Sequence, residues 1–319
     1  MSAFLASKHR SAMPLHIVTS LIESPALSTA SSRSVWLKLE SEQPSGSFKM
    51  RGVGHACETH AARGATRFMS SSGGNAGLAV AHCGRLLGVP VRVVVPMSTG
   101  ERAKALIAAQ GAEVVVHGAS WAEADAHLRS LIRPSDAYIH PFDDPLLWTG
   151  HATMMDEIAA TGVVPDVVVC SVGGGGLMCG VIEGLRRNGW GSVPVIAVET
   201  RGADSLAQAL AAGERIALPA ITSVATSLGA RQVSQQAFDE ARRHDVRSLV
   251  VSDAQAVDGC LALDREHGLV VEPACGASVV PVLVDDAALG DAKTVVVIAC
   301  GGVSATREQL RAWSDSLPR

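Results

Sequence analysis

Basic clusters are missing from this chain. Lys and Arg number 27 against 31 Asp and Glu, the formal net charge is −4, and no run of one sign stands out. Nucleic-acid binding needs a basic footprint, so a nucleic-acid partner is not expected. Aromatic residues are scarce at 3%, which leaves Val, Leu, Ile and Ala to build the cores. Apolar runs of bilayer length are absent as well; stretches such as Val91–Pro96 and Thr294–Cys300 are strand-sized. The segment Met1–Ile22 is broken by Lys8, His9, Arg10 and Pro14 and lacks the apolar centre of a secretion signal. No membrane partner is expected. The seven cysteines, at 57, 83, 170, 179, 260, 275 and 300, are odd in number and include no C-x-x-C pair. That excludes a disulfide framework or a zinc site of the usual spacing. The expectation is a soluble, cytoplasmic protein.

What is present is strand–helix alternation. Short runs rich in β-branched residues recur at Val35–Glu40, Thr66–Ser70, Val91–Pro96, Glu113–His117, Asp166–Val172, Val193–Val198, Arg247–Val251 and Thr294–Cys300. Helix-length segments such as Ala76–Leu87, Glu101–Ala109, Ala122–Leu131 and Leu177–Arg187 lie between them. Several runs are apolar throughout rather than alternating, as strands covered on both faces should be. The pattern predicts an α/β protein with two open, twisted, mostly parallel sheets. A chain of 319 residues exceeds one typical core. The self-contained set of strand–helix units between Met50 and Pro141 predicts a small domain, residues 50–141, inserted in a large one of residues 1–49 and 142–319.

Four segments carry candidate chemistry, each beyond the carboxyl end of an expected strand or at a turn. Pro44-Ser45-Gly46-Ser47-Phe48-Lys49 delivers one lysine behind an aromatic ring. Lysine is ordinarily solvated, but beside apolar surface its amine loses a proton more easily and can form an imine with a carbonyl cofactor. Ser70-Ser71-Ser72-Gly73-Gly74-Asn75-Ala76-Gly77 joins a strand to a helix, where small residues and free N–H groups suit an anion such as a carboxylate. The same composition also makes ordinary capped loops. Ser171-Val172-Gly173-Gly174-Gly175-Gly176-Leu177 again follows an apolar strand. Four consecutive glycines add no packing, and a cup of N–H groups around a phosphate explains them better than a plain turn. Cys179 stands where a dinucleotide fingerprint needs a third Gly or Ala, and the Gly-Lys-Ser/Thr of a Walker loop is absent. Last, Ala299-Cys300-Gly301-Gly302 ends a strand that should point at the same crevice.

A lysine imine, an anion loop, a phosphate cup and a strand-end thiol suggest a phosphorylated carbonyl cofactor acting on an amino acid. Over nearly its whole length the chain resembles the liver-type L-serine dehydratases of the fold type II (tryptophan synthase β-like) pyridoxal phosphate superfamily. The resemblance is carried by Leu15-His16-Ile17, Gln43–Lys49, Arg51–His55, Ser72–Gly77, Gly173–Leu177, Val198-Glu199-Thr200, Ile221–Ala225, Val271–Ala277 and Ala299–Gly302.

The resemblance implies β-elimination of water from L-serine and from L-threonine, with pyruvate or 2-oxobutyrate and ammonia as products. By that similarity Lys49 holds pyridoxal 5′-phosphate as a Schiff base and removes the Cα proton, and Phe48 packs on the ring. Gly173, Gly174, Gly175, Gly176 and Leu177 hold the phosphate, Asn75 bonds the phenolic oxygen, and Cys300 faces the pyridine nitrogen. Ser72, Gly73, Asn75 and Ala76 line the substrate carboxylate site, and Ala225 approaches the substrate side chain. Glu199, Ala203 and Ser205 match a monovalent-cation site, taking K+, and a homodimer is implied. At Gly73 relatives carry either Ala or Gly, so looser substrate positioning is expected here. Within the same fold the alternatives are serine racemisation and threonine deamination; a catalytically silent binding protein and a nicotinamide dehydrogenase are the outside readings.

Overall fold

The computed structural model describes residues 13–318. Residues 1–12 and Arg319, which fall within the expected large domain, lie outside the described residues. In chain order the strands are β1 (Leu21–Glu23), β2 (Ser34–Leu39), β3 (Arg67–Ser70), β4 (Val91–Val95), β5 (Glu113–Val116), β6 (Asp136–Tyr138), β7 (Val167–Ser171), β8 (Val195–Thr200), β9 (Val246–Val251) and β10 (Thr294–Ala299). All eight runs expected from the sequence form strands, with ends moved by two residues at most. β1 and β6, of three residues each, are too short to leave a periodic signal.

Two sheets result. One has the order β1-β2-β10-β7-β8-β9 and the other β5-β4-β3-β6. Only β1 runs antiparallel, against β2; the other pairings are parallel. Every residue of β7 and β8 is buried, which is why these runs are apolar without alternation. Around them Val167–Cys170, Val195–Val198 and Val295–Ala299 form one core. A second core, including Met50, Val53, Phe68, Val80, Val93 and Ile107, covers one face of the four-stranded sheet. Met69, Val94 and Leu128 cover its other face. Leu147 also belongs to the second of these cores, and Leu15, Trp148 and Val303 pack against it.

Parallel pairing turns every strand of a sheet's centre the same way, so their carboxyl ends share one edge. β2, β10 and β7 are neighbours, and their registers place Leu37, Val297 and Val169 in one row. Beyond that edge lie the turn leading to Lys49, the Cys300–Gly302 segment and the tetraglycine loop. The ends of β3 and β6 supply the Ser70–Asn75 loop and the His140–Phe142 turn.

Candidate active site

Lys49 opens the helix Lys49–Ala62. The turn before it is zipped to the end of β10: Phe48 N–H donates to the Cys300 carbonyl at 3.0 Å, Gly302 N–H to the Gly46 carbonyl at 2.8 Å, and Ser47 bridges Gly301. Gly46 and Gly301 have φ of 77° and 81°, a region that favours glycine. The lysine and the strand-end thiol are therefore presented together. Lys49 Nζ donates to the Pro141 carbonyl at 2.6 Å and lies 4.9 Å from the Phe48 ring centroid. Burial pulls its pKa from 10.5 down to about 8, against the opposing pull of Cys300 and Glu272. An amine so placed loses its proton within the physiological range, which makes it a nucleophile and a base.

The tetraglycine loop follows β7 and leads into the helix Gly176–Arg187. A Cβ at Gly173 would meet the Leu228 backbone, one at Gly174 the Phe142 ring, and one at Gly176 the Phe142 carbonyl oxygen at 2.5 Å. Gly175 has φ of 92° and would meet Ala237. Neighbouring backbone and aromatic surface thus exclude any side chain from the loop. Among the described residues no hydrogen bond uses the N–H groups of Gly173 to Leu177, as expected of a helix start that receives an anion. Phe142 ties this loop to the lysine, because it directly follows the Pro141 carbonyl that Lys49 engages. The turn is held by the neutral His140 ring, whose Nδ1 accepts from Phe142 N–H at 3.2 Å and Asp143 N–H at 2.7 Å. Burial drives the pKa of His140 down to about 4.

The Ser70–Asn75 loop is fixed at its root. Ser71 Oγ donates to Asp125 at 2.7 Å, and the same carboxylate accepts from Tyr138 Oη at 2.6 Å and Arg129 Nε at 2.6 Å. Ser72 Oγ accepts from Gly74 N–H at 3.3 Å. A Cβ on Gly77 would strike the Ser72 carbonyl, so the helix can start this close only with glycine there. At Gly73 a Cβ would sit 2.6 Å from Thr99 Cγ2 and 2.7 Å from its Oγ1. The Thr99 side chain thus fills the space that a methyl at 73 would take. Ala76 is buried behind the loop.

Asn75 donates from Nδ2 to Glu272 and accepts on Oδ1 from Val303 N–H at 3.4 Å. Cys300 is buried; its contact with Cys275 and its burial raise its pKa well above the ordinary thiol value, so it stays neutral. Gly301 N–H donates to Cys275 Sγ at 3.4 Å. Ala225 is buried with Ala203, Leu228 and Ala274, and its N–H is taken by Ser223 Oγ at 2.9 Å.

Glu199, Ala203 and Ser205 come together at the end of β8. Glu199 accepts from Leu206 N–H at 2.8 Å and Ala207 N–H at 2.7 Å, and burial still drives its pKa up to about 8. Ser205 Oγ is buried without a partner among the described residues.

Several groups at this crevice escape sequence reasoning. The Pro141 carbonyl is backbone and carries no residue signature. Thr99 and Asp125 are remote in sequence from what they support. Glu272 left one signal: a single carboxylate inside the apolar run Leu269–Cys275, where an unpartnered charge has no structural use.

These residues fit a phosphorylated carbonyl cofactor: a half-desolvated amine, five unengaged N–H groups in a loop too crowded for any Cβ, and a neutral thiol converge on one crevice. Residues 12–301 match the family described as "Pyridoxal-phosphate dependent enzyme". The chain is 44% identical over 315 residues to the human "L-serine dehydratase/L-threonine deaminase", covering 95% of this chain and 96% of that protein. It superposes on the crystal structure of a fungal L-serine ammonia-lyase from Rhizomucor miehei with a TM-score of 0.89 and 35% identity, covering 95% of this chain and 99% of that one. Maize serine racemase, at 22% identity and a TM-score of 0.85 over 94% of this chain and 92% of that one, shares the fold.

Proposed function

The chain belongs to the pyridoxal-phosphate dependent enzymes, and from that premise we propose the following division of labour among its residues. The protein is an L-serine ammonia-lyase that removes water from L-serine, and from L-threonine, to give pyruvate or 2-oxobutyrate and ammonia. Lys49 would hold the cofactor through its Nζ, and its free amine would take the proton from Cα. The Pro141 carbonyl is the partner that receives its free Nζ. Bound in this crevice, pyridoxal phosphate supplies the electron sink for the negative charge left at Cα.

The chain's own groups do the rest. Gly173 to Leu177 grip the phosphate with backbone N–H groups, and Phe48 and Asn75 hold the ring. Ser72, Gly73, Asn75 and Ala76 orient the substrate carboxylate, with Thr99 closing the wall behind Gly73, and Ala225 borders the substrate side chain. Cys300 is a neutral thiol that would face the pyridine nitrogen. A carboxylate there would hold that nitrogen protonated, which a neutral thiol would not do. The carrying observation is the Lys49 amine, pulled toward deprotonation at the point where the glycine loop, the anion loop and Cys300 meet.

Finer readings belong to the same proposal. The buried Glu199 carboxylate and unpartnered Ser205 hydroxyl support a monovalent cation, K+, with Ala203 completing the corner. Seven free, buried cysteines support a reducing, cytoplasmic setting. The exposed Met13, Ile17 and Val18 support a homodimer that would cover them. The four-stranded sheet, whose strands all lie between Arg67 and Tyr138, supports a small domain of residues 50–141 inserted in a large one of residues 1–49 and 142–319.

The test is product analysis with L-serine, comparing wild type and Lys49→Ala with Na+ and K+ varied. Pyruvate and ammonia from wild type alone support the reading; D-serine, or no product from a cofactor-loaded protein, overturns it.

A further inference from the structure

Glu272 is 3% exposed and stands where the two sheets' loops meet. Its carboxylate accepts from Asn75 Nδ2, from Ser304 Oγ, and from Ser227 Oγ at 2.9 Å. Its carbonyl takes Cys275 N–H at 2.8 Å and Gly276 N–H at 3.1 Å, capping the short helix Pro273–Gly276. Gly302, with φ of 118°, lies flat against the carboxylate, and a Cβ there would overlap it. Backbone and side chain are both pinned, and the immediate hydrogen-bond partners are all neutral. Burial raises the carboxyl's pKa while the three hydrogen bonds pull it back.

The arrangement decides which way the Asn75 amide points. An ionised carboxylate only accepts, and Val303 N–H only donates. With Oδ1 toward Val303 and Nδ2 toward Glu272 both contacts are attractive; with the amide turned over both become repulsive. Nδ2 carries two hydrogens, and Glu272 takes one. The second remains for a ligand oxygen in the crevice.

We infer that Glu272 is a positioning residue that locks the Asn75 side-chain amide, so that its second N–H is aimed at the phenolic oxygen of the cofactor. This rests on the functional reading above and adds to it a residue that acts through Asn75 without touching the cofactor. A carboxylate that merely supported the fold would not depend on Asn75 for its effect.

The experiment is a double-mutant cycle on cofactor binding, with Asn75→Ala, Glu272→Ala and the double variant beside wild type. Two readouts are taken: the dissociation constant for pyridoxal phosphate by absorbance titration, and the visible absorption band of the bound cofactor across pH. Asn75→Ala is expected to weaken binding about tenfold, as loss of one hydrogen bond to a charged oxygen does. Glu272→Ala should weaken it about three- to tenfold and shift the band in the same direction. The double variant should match Asn75→Ala within about twofold. Losses that multiply, or a Glu272→Ala protein with unchanged affinity and band, overturn the inference. Should Glu272→Ala fail to fold, Glu272→Gln serves in the same cycle; it keeps the shape and one acceptor, so it should retain non-additivity with a smaller loss. A wild type that takes up no pyridoxal phosphate overturns both this inference and the reading beneath it.

Discussion

Lys49 and Arg51 stand two residues apart at the start of one helix, and their surroundings treat positive charge in opposite ways. Arg51 is fully buried, yet Nε and Nη2 reach Glu40 at 2.7 and 2.8 Å, and Nη1 and Nη2 reach Glu157 at 2.6 and 2.7 Å. Thr153 Oγ1 accepts from Nη1 at 3.0 Å. Burial works against that charge, but the hydrogen bonds it donates to Glu157 and the charge of Glu40 outweigh it and raise its pKa. Lys49 has one carbonyl as direct partner, and its pKa falls to about 8. Between them His151 packs on Phe48 at 4.9 Å and accepts Gly52 N–H on Nδ1 at 3.2 Å. Burial and its two cationic neighbours hold it neutral. The lesson is that burial alone does not make a base reactive. Withholding the counter-ion does.

The contrast can be broken at several points. Lys49→Ala should cost the most, removing about 10³- to 10⁴-fold or more of turnover through loss of the base alone, read as pyruvate release per cofactor-loaded site. Arg51→Met should act on folding instead. It strands the buried Glu40 carboxylate, while Glu157 keeps Lys38 at 2.5 Å, and should cost about 3–5 kcal/mol, measured by denaturant unfolding of the cofactor-free protein.

A smaller effect tests the titration itself. In the cofactor-free protein, acylation of Lys49 followed by peptide mass spectrometry should rise with a midpoint near pH 8. Glu272→Gln removes an opposing negative charge and should move that midpoint lower; an unchanged midpoint would mean the carboxylate is not felt at Nζ. The same shift has a stability sign. The folded amine releases its proton at about 8 and the unfolded one near 10.5, so between those values the unfolded state holds more protons. The contribution of this one amine to stability therefore rises with pH across that window, against the buried thiols such as Cys170 and Cys300, whose raised pKa values make stability fall as the unfolded thiols ionise; Lys49→Met should steepen the net fall. Thr153→Val, which removes one of the six hydrogen bonds of the Arg51 side chain, should be mildest at about 1 kcal/mol.

Legibility in the sequence followed the range of the interactions involved. The eight longer strands, the glycine loop and the Phe48-Lys49 turn were readable because periodicity and glycine runs act over a few residues. What lies against Gly73 has no local signature, because Thr99, whose side chain a Cβ there would meet, stands 26 positions on. Glu272 was visible as a lone charge in an apolar run, within the segment Val271–Ala277 that carries the resemblance. Its use depends on Asn75, Ser227 and Ser304, which lie at three separate points of the chain. Neither β6 nor the Pro141 carbonyl had a local signature.

By itself the sequence determined the α/β class, the parallel sheets and the residue types of the anion loops, because buried strands need unbroken apolar runs and close backbone approach needs glycine. Only the tertiary structure decided which charges are answered and which are left exposed to chemistry. Whether Lys49 or Arg51 meets a carboxylate is a matter of where Glu40, Glu157 and Glu272 end up in space, and electrostatic partnership is set by distance and desolvation, which the order of residues along a chain does not encode locally.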